Sequence, residues 1–219
     1  MSAPQILKEI FLGNHQFVQA CRKEFFESHI EEQNPLITLV TCSDSRVQPS
    51  IFHDESINRI FVIRNIGNKI ENNLGSVDYG VLHLKTPVLL ILGHVNCGAI
   101  KTYLSGYEDE PQSVRSELDH LTIPLSKVDP SLPFEKKWLK GVELNLHWQV
   151  KIALERYQKQ VKEGSLTIVG AIYDFANTYG RGYGRIIIAN INGQTKREEL
   201  LNHPALKEIE PSFREEIVL

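Results

Sequence analysis

The sequence predicts an α/β fold, a single domain over residues 1–219 with a central, mostly parallel β-sheet flanked by helices. A chain of 219 residues with 42% hydrophobic residues is long enough for one well-buried core. Apolar runs too short for helices alternate with segments of helical periodicity, which is typical of right-handed βαβ units. The runs are almost continuously apolar, which indicates strands covered on both faces, as in a parallel sheet.

The first predicted element is an N-terminal helical arm, residues 1–30. Apolar residues recur at helical spacing from Gln5 to Glu27. We expect Gly13 and Asn14 to divide this stretch into two helices, because glycine and asparagine together favour a break.

The remaining elements alternate along the chain. About four parallel strands are predicted, at residues 36–41, 59–63, 87–92 and 166–173. A fifth run ends at a turn formed by Asn192 and Gly193 and is predicted as an antiparallel edge strand, residues 185–191. Helices are expected at residues 75–84, 97–104 and 142–162. Residues 106–140 are interpreted as a mostly exposed connection with a short helix near 113–121, and 178–185 as a flexible hairpin connection with no assigned function.

Composition argues against several function classes. A formal net charge of −3 supplies no basic field for a phosphate backbone, so we expect no nucleic-acid partner. No apolar segment approaches the ~20 residues that a membrane-spanning helix needs. Met1 to Gln5 lack the pattern of a signal peptide. The three cysteines are an odd, sparse set, which favours thiols in a reducing compartment, and we therefore expect a cytoplasmic protein.

Two segments that directly follow predicted strands carry the chemistry. The first strand leads into Cys42-Ser43-Asp44-Ser45-Arg46 and the third into Gly93-His94-Val95-Asn96-Cys97-Gly98. Ligands bind beyond the carboxyl ends of parallel strands, so both segments should meet at one edge of the sheet. Two thiolates and one imidazole suit Zn²⁺ in a tetrahedral site whose fourth position stays open.

Each part of this pattern also has a simpler interpretation. A single cysteine on a buried strand is more often a small core residue, and His-x-x-Cys alone is weak evidence for a metal. Asp44 and Arg46 could be an ordinary surface ion pair. The joint placement of the motifs after two apolar strands favours the metal site. Cys21, on the N-terminal helix, is interpreted as a packed residue without a ligand role.

Five blocks of the sequence, in order, resemble the β-class carbonic anhydrases. Two of these blocks, Cys42-x-Asp44-Ser45-Arg46 and His94-x-x-Cys97-Gly98, resemble the zinc signature of that family. Residues 64–68 and 75–79 resemble two further blocks, although glutamate is more usual in the family where Asp78 stands. Gln33 occupies the place of a substrate-facing glutamine of plant-type members. The resemblance is continuous from about residue 33 to 101 and resumes weakly at 170–174.

The resemblance implies a zinc-dependent carbonate dehydratase, a lyase that interconverts carbon dioxide and bicarbonate. Cys42, His94 and Cys97 would hold one Zn²⁺ per subunit, and a hydroxide on its fourth position would attack carbon dioxide. Asp44 would orient that hydroxide, and Arg46 would keep Asp44 ionised and aimed.

The resemblance also implies the substrate pocket and the assembly. Gln33 and the backbone N–H of Gly98 would donate hydrogen bonds to a substrate oxygen. The apolar wall would be Phe61, Ile66 and Tyr79, although plain core packing explains these three equally well. The protein would be a homodimer or an assembly of dimers in which the arm packs on a partner subunit.

Some family members close the site by moving the counterpart of Asp44 onto zinc as a fourth ligand. Those members carry tryptophan where this chain has Leu39, so we expect closure driven by bicarbonate to be weak or absent. Two alternative functions stay open, an enzyme of another kind on the same zinc scaffold and a non-catalytic module. Hydrolysis of carbonyl sulfide or carbon disulfide is disfavoured by Ser43, Ser45 and Gln33, and a structural-zinc module would need a fourth protein ligand, for which Asp44 is the candidate.

Overall fold

The computed structural model describes residues 1–52 and 56–219 and divides into two compact units, Met1–Asn34 and Pro35–Leu219. The N-terminal unit contains helices α1 (Ala3–Ala20) and α2 (Lys23–Glu27). The predicted break at Gly13 and Asn14 is wrong, because α1 continues through both residues. An isolated glycine costs a helix only about 1 kcal/mol relative to alanine. The helix ends instead at Cys21, whose backbone is extended.

The second unit is built on one five-stranded sheet. Its strands are β1 (Ile37–Cys42), β2 (Ile60–Asn65), β3 (Val88–His94), β4 (Thr167–Asp174) and β5 (Arg185–Ile191), in the spatial order β2-β1-β3-β4-β5. The first four strands pair in parallel, and β5 pairs antiparallel with β4. The predicted sheet, with four parallel strands and an antiparallel edge, is confirmed.

The helices flank this sheet. The described segments contain α3 (Leu74–Asp78), α4 (Gly98–Ser105), α5 (Gln112–Asp119), α6 (Thr122–Leu125), α7 (Phe134–Arg156), α8 (Gln158–Lys162), α9 (Arg197–Leu201) and α10 (Pro211–Ile217). A π-helical turn, Tyr79–His83, continues α3, and short 3₁₀ turns lie at Pro49–Ile51, Glu71–Asn73 and Pro204–Leu206. No helix of the described residues is long and apolar enough to cross a membrane.

The interpretation of residues 106–140 as mostly exposed connection is wrong in its second half. Helix α7 already begins at Phe134, directly after Pro133, and Leu121 and Leu125 before it are buried. Charged residues at 135–137 hide the helical pattern that Trp138 and Val142 continue. The predicted helix at 142–162 is also interrupted at Tyr157, where α7 ends and α8 follows.

Helix α7 packs closely on β3 and β4, the strands next to the candidate site. Leu146 and Val150 of α7 are fully buried in the same cluster as Ile91 of β3. A β-carbon at Gly170 of β4 would lie 2.7 Å from Cγ2 of Val150, so glycine is needed for this approach. Because β1 and β3 are parallel neighbours in this packed sheet, the polar segments that follow them lie at the same edge.

Candidate metal centre

The three predicted metal ligands lie together at the carboxyl edge of the sheet. Cys42 is the last residue of β1, His94 is the last residue of β3, and Cys97 immediately precedes α4. Their candidate ligand atoms all lie within 4.8 Å of one another. All three side chains are buried, with His94 completely inaccessible. The structure thus brings Cys42 to a His-x-x-Cys segment that is distant from it in sequence.

The hydrogen bonding of His94 leaves one ring nitrogen free for a metal. Nδ1 lies 2.9 Å from the backbone carbonyl oxygen of Val95, so this nitrogen carries the proton and donates to that carbonyl. Nε2 is buried and has no hydrogen-bond partner among the described residues. A buried acceptor without a partner is costly, and a metal ion is the usual partner of an imidazole nitrogen in this setting.

The two thiols complete a donor set that fits zinc. The neighbouring Cys97 side chain holds the pKa of the Cys42 thiol below its usual value. The proximity of Cys42, together with burial, raises the pKa of Cys97. One thiolate therefore forms readily. Soft sulfur ligands with one imidazole match the coordination preferences of Zn²⁺.

Asp44 and Arg46 form a bidentate pair beside these ligands. Arg46 Nε donates to Asp44 Oδ1 over 2.9 Å and Nη2 donates to Oδ2 over 2.7 Å. The Arg46 side chain holds the pKa of the Asp44 carboxyl at about 2. Asp44 Oδ2 also lies 3.8 Å from His94 Nε2. This ionised carboxylate is thus fixed next to the nitrogen that would bind the metal.

Two residues outside the predicted set of ligands and pocket residues hold the ligand segments in place. Arg64 donates through Nε and Nη2 to the Cys42 carbonyl oxygen and through Nη2 to the Asp44 carbonyl oxygen, at 3.2, 3.1 and 2.7 Å. Trp138 Nε1 donates to the Cys97 carbonyl oxygen over 2.7 Å. The family resemblance includes Arg64 within a block, and no sequence signal connects Trp138 with Cys97.

The predicted pocket residues have different positions. Phe61 is half-buried, Tyr79 is exposed, and their ring centroids lie 5.7 Å apart. Ile66 is half-buried against the main core, and Gly98 is exposed at the start of α4. Gln33 belongs to the N-terminal unit, where it is exposed. Their roles toward a substrate stay predictions.

The sheet, with a buried Cys-His-Cys set at its carboxyl edge, defines an α/β protein with a candidate metal site. Its fold is that of the β-carbonic anhydrases. The β-carbonic anhydrase CcaA superposes with a TM-score of 0.75 at 23% identity over 85% of this chain and 88% of that one. A Coccomyxa β-carbonic anhydrase, solved with acetazolamide, gives a TM-score of 0.70 at 24% identity over 90% and 89% of the two chains.

Sequence comparison identifies the family. The model of the family described as carbonic anhydrase matches residues 37–180. Carbonic anhydrase 2 of Mycobacterium tuberculosis is 30% identical over 213 residues, which cover 87% of this chain and 95% of that protein. A Mycolicibacterium smegmatis carbonic anhydrase is 40% identical over 80 residues, 36% of this chain and 39% of that protein. The chain therefore belongs to the carbonic anhydrase family of lyases, in its β class.

Proposed function

We propose that this carbonic anhydrase is zinc-dependent and catalyses the reversible hydration of carbon dioxide to bicarbonate and a proton. The observation that carries the proposal is the buried Nε2 of His94, which has no hydrogen-bond partner in the described part of the chain and lies close to two thiols, one of which ionises readily. Cys42, His94 and Cys97 would hold one Zn²⁺ per subunit. The metal would supply an activated water molecule at neutral pH, as zinc does in carbonic anhydrases.

In this proposal, Asp44 orients the activated water or hydroxide, and Arg46 holds Asp44 in place. Because its pKa lies near 2, Asp44 is ionised throughout the neutral range and can only accept hydrogen bonds. Its Oδ2 lies 3.8 Å from His94 Nε2, so this oxygen can accept a hydrogen bond from a group that is bound next to that nitrogen. Arg46 donates to both carboxylate oxygens and keeps the acceptor aimed.

The neighbouring residues suit a neutral, apolar gas. Phe61, Ile66 and Tyr79 would form the apolar wall, and the pairing of the Phe61 and Tyr79 rings supports a continuous surface there. The backbone N–H of Gly98 and the amide of Gln33 would donate to a substrate oxygen. Leu39 is buried in β1, and we keep the prediction that movement of Asp44 onto the metal, driven by bicarbonate, is weak or absent.

The assembly and location are also proposals. Helix α1 has no buried residue and exposes large apolar side chains such as Phe11, which supports packing of the 1–30 arm on a partner in a homodimer or an assembly of dimers. Two β-carbonic anhydrases of Sordaria macrospora, which share this fold, are tetrameric. The three cysteines are free thiols, as expected for a cytoplasmic protein.

The proposal is tested by stopped-flow carbon dioxide hydration on protein with a verified zinc content, from about pH 6.5 to 9. We expect a zinc-dependent rate that rises with pH. Cys42→Ser should lose zinc and activity together, whereas Cys21→Ser, the matched control, should lose neither. Asp44→Asn should retain zinc and lose most of the rate.

A fully zinc-loaded protein with no rate at any of these pH values would overturn the proposal. Carbonyl sulfide, run in parallel, would then separate hydrolysis of that gas from a closed structural-zinc site. A fully active Asp44→Asn variant would contradict only the role given to Asp44.

A further inference from the structure

We propose that Phe175 is a positioning residue, whose ring holds the guanidinium of Arg46 in the orientation that aims Asp44. The inference rests on the proposed function, because it concerns the pair formed by Asp44 and Arg46. Phe175 directly follows β4, outside both metal motifs.

The backbone around Phe175 is fixed by its neighbour Asp174. That carboxylate is completely buried and accepts hydrogen bonds from the backbone N–H groups of Ala176, Thr178 and Tyr179, at 3.2, 2.9 and 2.8 Å. Three bonds from successive turns of the chain to one side chain leave the segment little freedom. The Phe175 ring is therefore presented from a rigid support.

The contact with Arg46 complements the hydrogen bonds of the guanidinium. The Arg46 Cζ atom lies 4.6 Å from the Phe175 ring centroid, over the face of the ring. Arg46 also donates to both carboxylate oxygens of Asp44 and, through Nη2, to the Asn96 carbonyl oxygen over 3.1 Å. Guanidinium N–H donors lie in the plane of the group, and Arg46 contacts the ring while its Nε and Nη2 atoms keep these hydrogen bonds.

The exposure of Arg46 makes this contact useful. Its side chain is 49% exposed, and a long side chain at such a site has many alternative rotamers. The aromatic face favours the rotamer in which Arg46 reaches Asp44. Without the ring, Arg46 would leave Asp44 for a larger fraction of the time.

The same ring has a second neighbour in the site. The His94 and Phe175 rings are stacked with centroids 6.1 Å apart and an angle of 29° between their planes. An effect of Phe175 could therefore reach the metal through His94 instead. The experiment must separate this route from the route through Arg46.

The test uses Phe175→Leu, which keeps apolar bulk and removes the aromatic face, and Phe175→Tyr, which keeps the face. We expect Phe175→Leu to bind zinc normally in chelator competition while its kcat for hydration falls about two- to fivefold, the size of a partly exposed cation–π contact. Phe175→Tyr should restore the rate. Tyr103→Leu, which removes a stacked ring from α4, is the control for a general loss of packing and should keep the rate.

A double-mutant cycle identifies the route. In an Arg46→Ala background, Phe175→Leu should cause no further fall in kcat, because the group on which it acts is already absent. An additive fall, or a fall that follows a loss of zinc, would assign the effect to His94 and overturn the proposal. If Phe175→Leu does not fold, Phe175→Met replaces it in the same cycle.

A spectroscopic readout separates this inference from the proposed function. The Arg46 Nε–H signal in a ¹H–¹⁵N spectrum, assigned by its loss in Arg46→Lys, should carry a ring-current shift from Phe175. That shift should disappear in Phe175→Leu and persist in Phe175→Tyr, whether or not the protein hydrates carbon dioxide. An unchanged Arg46 signal in Phe175→Leu would refute the contact itself.

Discussion

Substitution of Trp138 by phenylalanine isolates one hydrogen bond to the metal-binding segment. The Trp138 indole N–H donates to the Cys97 carbonyl oxygen over 2.7 Å, and that oxygen also accepts from the Lys101 backbone N–H over 3.1 Å. Since the phenyl ring would keep an aromatic group in place and the carbonyl would keep its second donor, the loss is that of one ordinary hydrogen bond, about 0.5–1.5 kcal/mol. We expect this loss to divide between the stability of the fold and zinc affinity.

The assay for Trp138→Phe has two parts. Competition with a chelator of known affinity should show zinc binding weakened by up to about tenfold, since 1.4 kcal/mol corresponds to a factor of ten. Urea unfolding of the zinc-stripped protein should account for the remainder. Trp148→Phe is the matched control, because Trp148 lies on the same helix, where its ring faces the Lys151 amine instead of a ligand segment. Equal effects of the two substitutions would refute the assigned role of the indole N–H.

Two further predictions concern Gly80 and Asp78, the two neighbours of Tyr79 in the chain. Gly80→Ala should destabilise the protein by about 1–3 kcal/mol in urea unfolding, because a β-carbon there would lie 2.9 Å from Cγ2 of the buried Thr38. Gly75→Ala is the control and should not destabilise the protein, since a β-carbon there meets no described atom within 4 Å. A Gly80→Ala variant of unchanged stability would contradict this packing. Arg156 donates to Asp78 over 2.7 Å and holds the pKa of that carboxyl below its usual value. Ionised Asp78 therefore stabilises the fold at pH values above its unfolded-state pKa. This stabilisation is lost as the pH falls through the folded-state pKa of Asp78. The difference in unfolding free energy between wild type and Asp78→Asn should therefore be present at about pH 6 and close below about pH 4; a difference that does not change with pH would show that the ion pair is not its source.

The sheet was predictable because its strands carry their own signal. Residues 87–92 and 166–173 are apolar without alternation, and they form the buried strands β3 and β4 nearly as predicted. The start of α7 was not predictable in the same way, since charged residues separate Phe134 from Trp138. Trp138 packs on the main core and Phe134 packs on Trp138, and the local sequence pattern shows neither contact. Local propensity also failed at Gly13, where one glycine is outweighed by a helix that extends on both sides.

The meeting of the three candidate metal ligands was predictable for a topological reason. Parallel strands place their carboxyl ends at one edge, so a cysteine that ends β1 and a histidine that ends β3 had to meet there. Phe175 contacts the site from the segment after β4, and Trp138 contacts it from α7. No motif in the sequence links either residue to the candidate metal ligands. Such supporting contacts depend on tertiary packing, which spacing within one sequence does not encode.

The supporting contacts explain how a site at the ends of strands, and in the segments that follow them, can hold a defined geometry. Arg64 fixes the segment after β1, Trp138 fixes the segment after β3, and Arg46 joins the two by donating to both Asp44 and the Asn96 carbonyl oxygen. All of these bonds are formed within the protein chain, so the ordering entropy of both segments is part of the folding free energy. In the proposed function, a metal bound between segments already held in this way would need to order little else, and a carboxylate already aimed would not need to reorganise. Rigidity of the two ligand segments is thus a property of the arginines and the indole around them as much as of the ligands themselves.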